Sequence, residues 1–453
     1  MSSTQNRSQW SGRFAFIMAA TGSAVGLGNI WKFPYITGEY GGGAFVLMYL
    51  FCIALIGVPI LMAEIMIGRR GQHSPSRSIS DIAEKEKSSK KWGIVGGAGS
   101  LTSYLILTFY SVIGGWTLNY LVKSLSNVFS GQDAASIEAI FGQMLANPGE
   151  MLFWHSVFMI SIAVVVMRGL SKGIEKAIVV LMPAMFVLIA GLVLYAAFGT
   201  DGFGQSVDFL FSFDFSKITT TAFLTALGHS FFTLSLGMSV MIAYGSHLPK
   251  HISIGRASVT IALLDTVVAL LAGLAIFAIV FSNGQNPGAG PGLIFQTLPV
   301  AFGSMGAGFI VSIAFFFLLL FAAWSSAISL LVPPVERMED TGMSIAKSTW
   351  LVAGSAWVIG ILALLSFNVL SDTDKYGLFG MGIFDLLDYL TGKLLLPLVG
   401  LFVAIFAGWV MSYNTTTKEL ELSGAPYIIW RLLTRFVAPV LIIIVFTSEL
   451  GLF

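Results

Sequence analysis

The chain has 453 residues, 56% of them hydrophobic and 10% charged, with a mean hydropathy of +0.86 and a net charge of +1. This composition describes a polytopic membrane protein, leaves no room for a sizeable soluble domain, and gives no reason to expect a nucleic-acid partner. The single Cys52 excludes an internal disulfide and a cysteine-rich metal site.

The N-terminus is polar and lacks a short apolar segment ending in a cleavage site, so no removable signal peptide is expected. Hydrophobic runs long enough to cross a bilayer then give about eleven spans. Span 1 covers 12–37, span 2 43–68, span 3 94–122, span 4 151–167, span 5 177–198 and span 6 221–245. Span 7 covers 257–282, span 8 307–334, span 9 348–370, span 10 382–413 and span 11 426–451. Basic residues crowd one set of connections: Arg69, Arg70, Arg77, Lys85, Lys87, Lys90 and Lys91 after span 2, and Arg168, Lys172 and Lys176 after span 4. The opposite connections hold mainly Lys32, Lys123, Lys217, Lys375 and Lys393. This asymmetry predicts a cytoplasmic N-terminus and, with an odd number of spans, an external C-terminus.

Span 1 is apolar enough to cross a membrane, yet its middle, Thr21–Asn29, places Gly22, Gly26 and Gly28 among small and polar side chains. Glycine weakens a helix. Two readings fit: a close helix–helix contact, which small residues permit, or a broken helix whose freed backbone groups hold a ligand, tolerated at membrane depth only beside a polar cavity. In span 2, Glu64 lies four residues before Gly68-Arg69-Arg70. It either pairs with an arginine at the interface or accepts N–H groups freed by a helix break. Gly169-Leu-Ser171-Lys-Gly173 fits the pattern of a nucleophile elbow, but no strand precedes it, and neither a P-loop nor H-E-x-x-H occurs, so no enzyme is expected.

A second break is expected in span 6, where Phe231–Ser239 carries hydroxyls and Gly237 at its centre. Alone it also fits hydroxyls bonding back within an intact helix. Five spans separate the two breaks, the signature of two five-span repeats with the second copy inverted. Paired discontinuous helices mark substrate and ion sites in transporters. The chain divides accordingly into an N-terminal segment 1–11, a first repeat 12–198, a second repeat 199–413 and a final span within 414–453. His229 in span 6 and Asp265 in span 7 are ionisable residues inside the membrane, either a hydrogen-bonded structural pair or a cation site and its neighbour. A carboxylate beside exposed carbonyls suits sodium. Ser325 and Ser326 in span 8 bond to their own helix or, if they face span 1, offer oxygens to a cation. Helix polarity divides the tasks: the first half of span 1 ends in free carbonyls that attract a cation, and the second begins with free N–H groups that attract a carboxylate.

GSAVGLGNIWKFPY at Gly22–Tyr35, GGGAF at Gly41–Phe45, Ser111-Val-Ile-Gly-Gly-Trp116 and FFTLSLG at Phe231–Gly237 resemble the neurotransmitter:sodium symporter family, in particular its small bacterial amino-acid symporters. The resemblance spans the chain and implies an all-α polytopic protein of the LeuT fold, with a 5+5 inverted repeat, broken helices 1 and 6, and sodium-driven alternating access in the cell membrane without a required oligomer. It implies two sodium sites, one on Ala24, Asn29, Thr233 and Asp265, the other on Gly22, Val25, Ala322, Ser325 and Ser326. Tyr110 would bond the substrate carboxylate, near the amides around Gly26, Leu27 and Gly28. Ser23, Ile106, Phe232, Ser235, Met238 and Leu330 would complete the pocket, with Thr233 and Ser326 at its edge. Glu64 would steady the break in span 6. Lys32 and Asp388 would form an outer gate, and Arg7, Trp10 and Asp340 an inner one. Gly173 and Pro183 would let span 5 unwind for sodium release.

Departures from the family pattern carry information. Amine transporters have an aspartate where Gly26 stands, so the substrate should bring its own carboxylate. Met238 replaces a common aromatic, and a flexible thioether suits varied apolar side chains. The expected cargo is therefore a broad set of hydrophobic L-amino acids. Asp265 replaces the usual asparagine and His229 a glutamine, which predicts transport independent of chloride. Lys32 stands for an arginine and loses its bidentate fork. The alternatives are proton coupling through His229 and Asp265, or an ion channel, which would need a continuous polar pore.

Overall fold

The computed structural model describes residues 8–288 and 290–449; Arg7, expected in the inner gate, lies outside them. In described residues the membrane-crossing elements are all helical. Among the described residues nine helices are long and apolar enough to span a bilayer: Gly43–Gly71, Lys90–Leu125, Pro148–Val166, Leu170–Gly199, Ile254–Ser282, Gly308–Glu339, Ile345–Leu365, Ile383–Val410 and Ala425–Ser448. These are spans 2–5 and 7–11. Span 1 is a pair, Arg13–Ala24 and Gly28–Glu39, bent by 49° at the expected break. Span 6 is likewise two pieces, Thr220–Thr233 and Val240–Ser246, each too short to cross alone. Span 5 begins about two turns earlier than its hydropathy suggests, in a wide turn over Leu170–Ile174 that contains Gly173; Pro183 sits inside the continuous helix.

The outer surface, unlike that of a soluble protein, is apolar as well as the core. Val180, Val187, Leu194 and Phe198 of span 5 and Leu351, Val358 and Leu362 of span 9 are exposed apolar surface, as a lipid-facing rim requires. Small residues lie inward, where backbones cross. A Cβ on Gly114 would meet the ring of Phe158, and one on Gly115 the backbone of His155, so spans 3 and 4 approach more closely than any larger residue allows. The halves of spans 1 and 6 are held centrally: the first half of span 1 against spans 5, 7 and 8, and the two halves of span 6 against span 2. Both breaks therefore face the middle of the bundle.

Candidate functional site

The two breaks have different chemistry. In span 1 the helix ends at Ala24, and Val25 turns extended at φ −73, ψ 105 before the backbone recovers. The carbonyls this frees converge on span 8: Ser326 Oγ lies 3.3 Å from Gly22 O, 3.2 Å from Ser23 O and 3.3 Å from Val25 O. One hydroxyl donates a single hydrogen, so most of that oxygen density lacks a donor from it. Ser325 Oγ, 3.1 Å from Ala322 O, adds a hydroxyl on the same face. Spans 1, 5 and 8 meet so closely here that a Cβ on Gly22 would lie 2.9 Å from Met182 Sδ and 3.3 Å from Ser325 Cβ.

A second oxygen cluster sits on the other side of the break. Asp265 is fully buried; it accepts from Asn29 Nδ2 at 2.8 Å, Tyr49 Oη at 3.1 Å and Thr233 Oγ1 at 3.1 Å. Asn29 Oδ1 in turn accepts the freed N–H of Gly26 at 3.1 Å. Asn29, Thr233 and Asp265 are thus brought together from spans 1, 6 and 7. His229 is not bonded to Asp265. Its ring packs on Phe33 at 6.0 Å and Tyr49 at 5.5 Å, and neither nitrogen has a hydrogen-bond partner among the described residues. The expected alternative of a His229–Asp265 pair fails because Tyr49, Asn29 and Thr233 occupy the carboxylate instead.

In span 6 the break rests on left-handed backbone and on a carboxylate from span 2. Ser235 (φ 53), Gly237 (φ 73) and Ser239 (φ 58) all adopt left-handed backbone, costly for the serines. Glu64, buried in span 2, accepts the N–H of Gly237 at 2.8 Å. Of its two possible roles the structure takes the helix-break one, since Arg69 pairs instead with Glu419 at 2.7 Å. Ser235 Oγ crosses to span 1, donating to Ser23 O at 2.9 Å, which ties the two breaks together.

Between the breaks lies a small cavity of about 20 Å³ lined by Ser23, Ala24, Gly26, Leu27, Gly28, Ile106, Tyr110, Phe232, Ser235, Met238, Ser326 and Leu330. Thr233, expected among them, faces Asp265 instead. No lining side chain is charged. Tyr110 Oη accepts from Leu27 N at 3.3 Å, which sets the hydroxyl at the amide end of the break. A Cβ at Gly26 would run into Ser326 Oγ and come within 3.1 Å of Tyr110 Oη, leaving no room for a larger residue. Outside this cavity is an open vestibule lined by Trp31, Tyr35, Phe109, Trp116, Phe141, Phe232, Phe295, Phe367 and Phe384, with Lys32, Asp385 and Asp388 at its rim.

The expected gates are only partly assembled. Lys32 and Asp388 share the vestibule but form no ion pair; the Lys32 ammonium sits 5.0 Å above the Phe232 ring. A half-buried ammonium that loses its pairing geometry finds the π face a workable substitute. At the opposite end Trp10 is buried and donates to Tyr244 O at 3.0 Å, while Asp340 accepts from Ser74 Oγ. Sequence reasoning missed Tyr49, whose signal was a lone hydroxyl in span 2, and the His247–Glu336 contact, whose two members fall just beyond the expected ends of spans 6 and 8.

Comparison with known proteins agrees with this geometry. The model of the Sodium:neurotransmitter symporter family matches residues 7–138 and 132–453. The sodium-dependent transporter YhdH of Bacillus subtilis is 39% identical over 99% of both chains, and a sodium-dependent transporter of Haemophilus influenzae is 34% identical over 98% of this chain and 99% of its own. The crystal structure of MhsT in complex with L-phenylalanine superposes with a TM-score of 0.90 at 42% identity, covering 98% of this chain and all of that one. The chain is therefore a member of the sodium:neurotransmitter symporter family, a multi-pass, sodium-dependent membrane transporter with the LeuT fold.

Proposed function

We propose that the protein imports hydrophobic L-amino acids together with sodium by alternating access, over a broad substrate range and without chloride. The observation that carries this reading is the uncharged cavity between the two breaks. Its floor is apolar, from Ile106, Phe232, Met238 and Leu330, and its polar end is built from Tyr110 and the span 1 amides. A zwitterion fits such a site: its carboxylate meets the N–H end of the half-helix, and its side chain fills the apolar end. Gly26 supports an amino acid over a monoamine, because no carboxylate side chain fits there to pair with an amine. Phenylalanine bound to MhsT supports an apolar cargo.

Two cations are proposed, one on Gly22, Val25, Ala322, Ser325 and Ser326, and one on Ala24, Asn29, Thr233 and Asp265 completed by the substrate carboxylate. Oxygen donors of this kind suit a hard monovalent cation. Asp265 brings a fixed negative charge, which takes over the part an anion would play. The basic loops orient the N-terminus toward the cytoplasm of a cell-membrane protein, with the aromatic vestibule outside. The decisive experiment is uptake of radiolabelled phenylalanine into proteoliposomes under a sodium or a pH gradient, competed with all twenty amino acids, in chloride and in gluconate. Uptake driven by sodium, blocked by apolar amino acids and indifferent to gluconate is expected. Uptake that follows the pH gradient or collapses in gluconate overturns the corresponding part.

A further inference from the structure

The N-terminal segment closes over the end of span 6 through three contacts. The backbone N–H of Trp10 donates to His247 O at 3.2 Å, its indole N–H donates to Tyr244 O at 3.0 Å, and Ser8 O lies 2.6 Å from His247 Nδ1. On the far side of the imidazole, Nε2 is 2.8 Å from Glu336 Oε1, near the end of span 8. Both side chains are buried, His247 at 8% exposure and Glu336 at 6%. A backbone carbonyl only accepts, so Nδ1 carries a hydrogen. Nε2 and Oε1 then need one more between them, either as Nε2–H donating to a carboxylate or as a carboxylic O–H donating to Nε2. In both arrangements the pair holds one proton more than a neutral imidazole beside a carboxylate.

We propose that His247 and Glu336 form a proton-binding site inside the cytoplasmic gate, filled when the gate closes and emptied when it opens. Opening must draw Ser8 and Trp10 away from span 6. The imidazole then loses the carbonyl that demands Nδ1–H and gains water, which takes over its hydrogen bonds. Its extra proton leaves to cytoplasmic water, and closing takes one back from the same side, so no proton crosses the membrane. The closed form binds more protons, so its population rises as cytoplasmic pH falls.

The other ionisable groups around the pair have partners or lie outward. Tyr244, one turn before His247, shares a 2.8 Å hydrogen bond with Ser329 Oγ. Asp340, one turn beyond Glu336, accepts from Ser74 Oγ. Arg69 of span 2 is engaged by Glu419 and by Ile252 O at 2.6 Å. Arg337 and Lys250 are exposed, Glu339 is partly exposed, and Arg7 lies outside the described residues.

The inference rests on the reading of this end as the cytoplasmic gate, and its test reads gate opening rather than uptake, so failure of the amino-acid assignment would leave it standing. The measurement is hydrogen exchange of the backbone around Trp10 in the full-length protein, without sodium or amino acid, corrected for the intrinsic pH dependence of exchange. One proton bound on closing predicts that protection falls by up to about tenfold per pH unit as pH rises through the neutral range. In Glu336→Gln the amide N–H donates to Nε2 of a neutral ring, so closure needs no added proton and protection should stay high and flat with pH. His247→Gln should also be flat. Protection in the native chain that varies less than about twofold between pH 6.5 and 8.5, or a Glu336→Gln variant with the native slope, would overturn the proposal.

Discussion

The breaks in spans 1 and 6 look alike in sequence and are held open by opposite means. Span 1 keeps ordinary backbone angles, and its freed carbonyls gather around one serine hydroxyl that can satisfy only one of them. Span 6 uses three left-handed residues, and its freed Gly237 N–H is taken by a buried carboxylate of the protein's own. The first break leaves carbonyls that the one hydroxyl beside them cannot all satisfy, whereas the second has its freed Gly237 N–H taken by Glu64. The difference teaches that two breaks alike in sequence can differ in how far the protein itself satisfies the backbone groups they free, and under the proposed function the cation completes the first.

Substitutions at each break should separate the two. Gly26→Asp should have the largest effect, lowering phenylalanine binding by more than about a hundredfold, because the new side chain displaces both Ser326 and Tyr110; scintillation binding with labelled phenylalanine checks this. Glu64→Ala leaves the Gly237 N–H buried without a partner and should cost about 2 kcal/mol of stability, the same with and without sodium, seen as equal falls in Tm under both conditions. Ser326→Ala should leave Tm in sodium-free buffer nearly unchanged but weaken sodium by about tenfold, shrinking the Tm rise that sodium produces. A Glu64→Ala effect confined to sodium, or a Ser326→Ala effect present without it, would erase the contrast between the breaks.

The smallest effect is expected in span 5. Met182 touches Gly22, and Pro183 leaves the helix one hydrogen bond short beside it. Pro183→Ala should slow turnover a few-fold, about 1 kcal/mol on the barrier, while phenylalanine and sodium affinities stay put. Comparing uptake rates with equilibrium binding on the same preparation decides it, and unchanged turnover would detach span 5 from release at the span 1 break.

Much of the site was legible in the chain because its signals are local. Glycines and hydroxyls inside a hydrophobic run mark a helix that cannot pair all its backbone groups, and Gly22, Gly26, Gly237, Ser325 and Ser326 all announced themselves this way. Asp265 was visible as a carboxylate where lipid forbids one. The partners were not legible. Asp265 takes Tyr49 and not His229, Lys32 settles over Phe232 and not against Asp388, and His247 meets Glu336, 89 residues away.

By itself, the sequence determined the course of most spans, the places where two of them fail as helices, and the lack of a charged side chain at Gly26. Hydropathy and backbone preference act within a few residues, so a single chain read in order reveals them. Only the tertiary structure decided which freed group meets which partner. A hydrogen bond depends on direction and on tenths of an ångström, and those are set by how spans distant in sequence cross, through contacts such as Gly22 on Met182 and Gly237 on the backbone of Leu396.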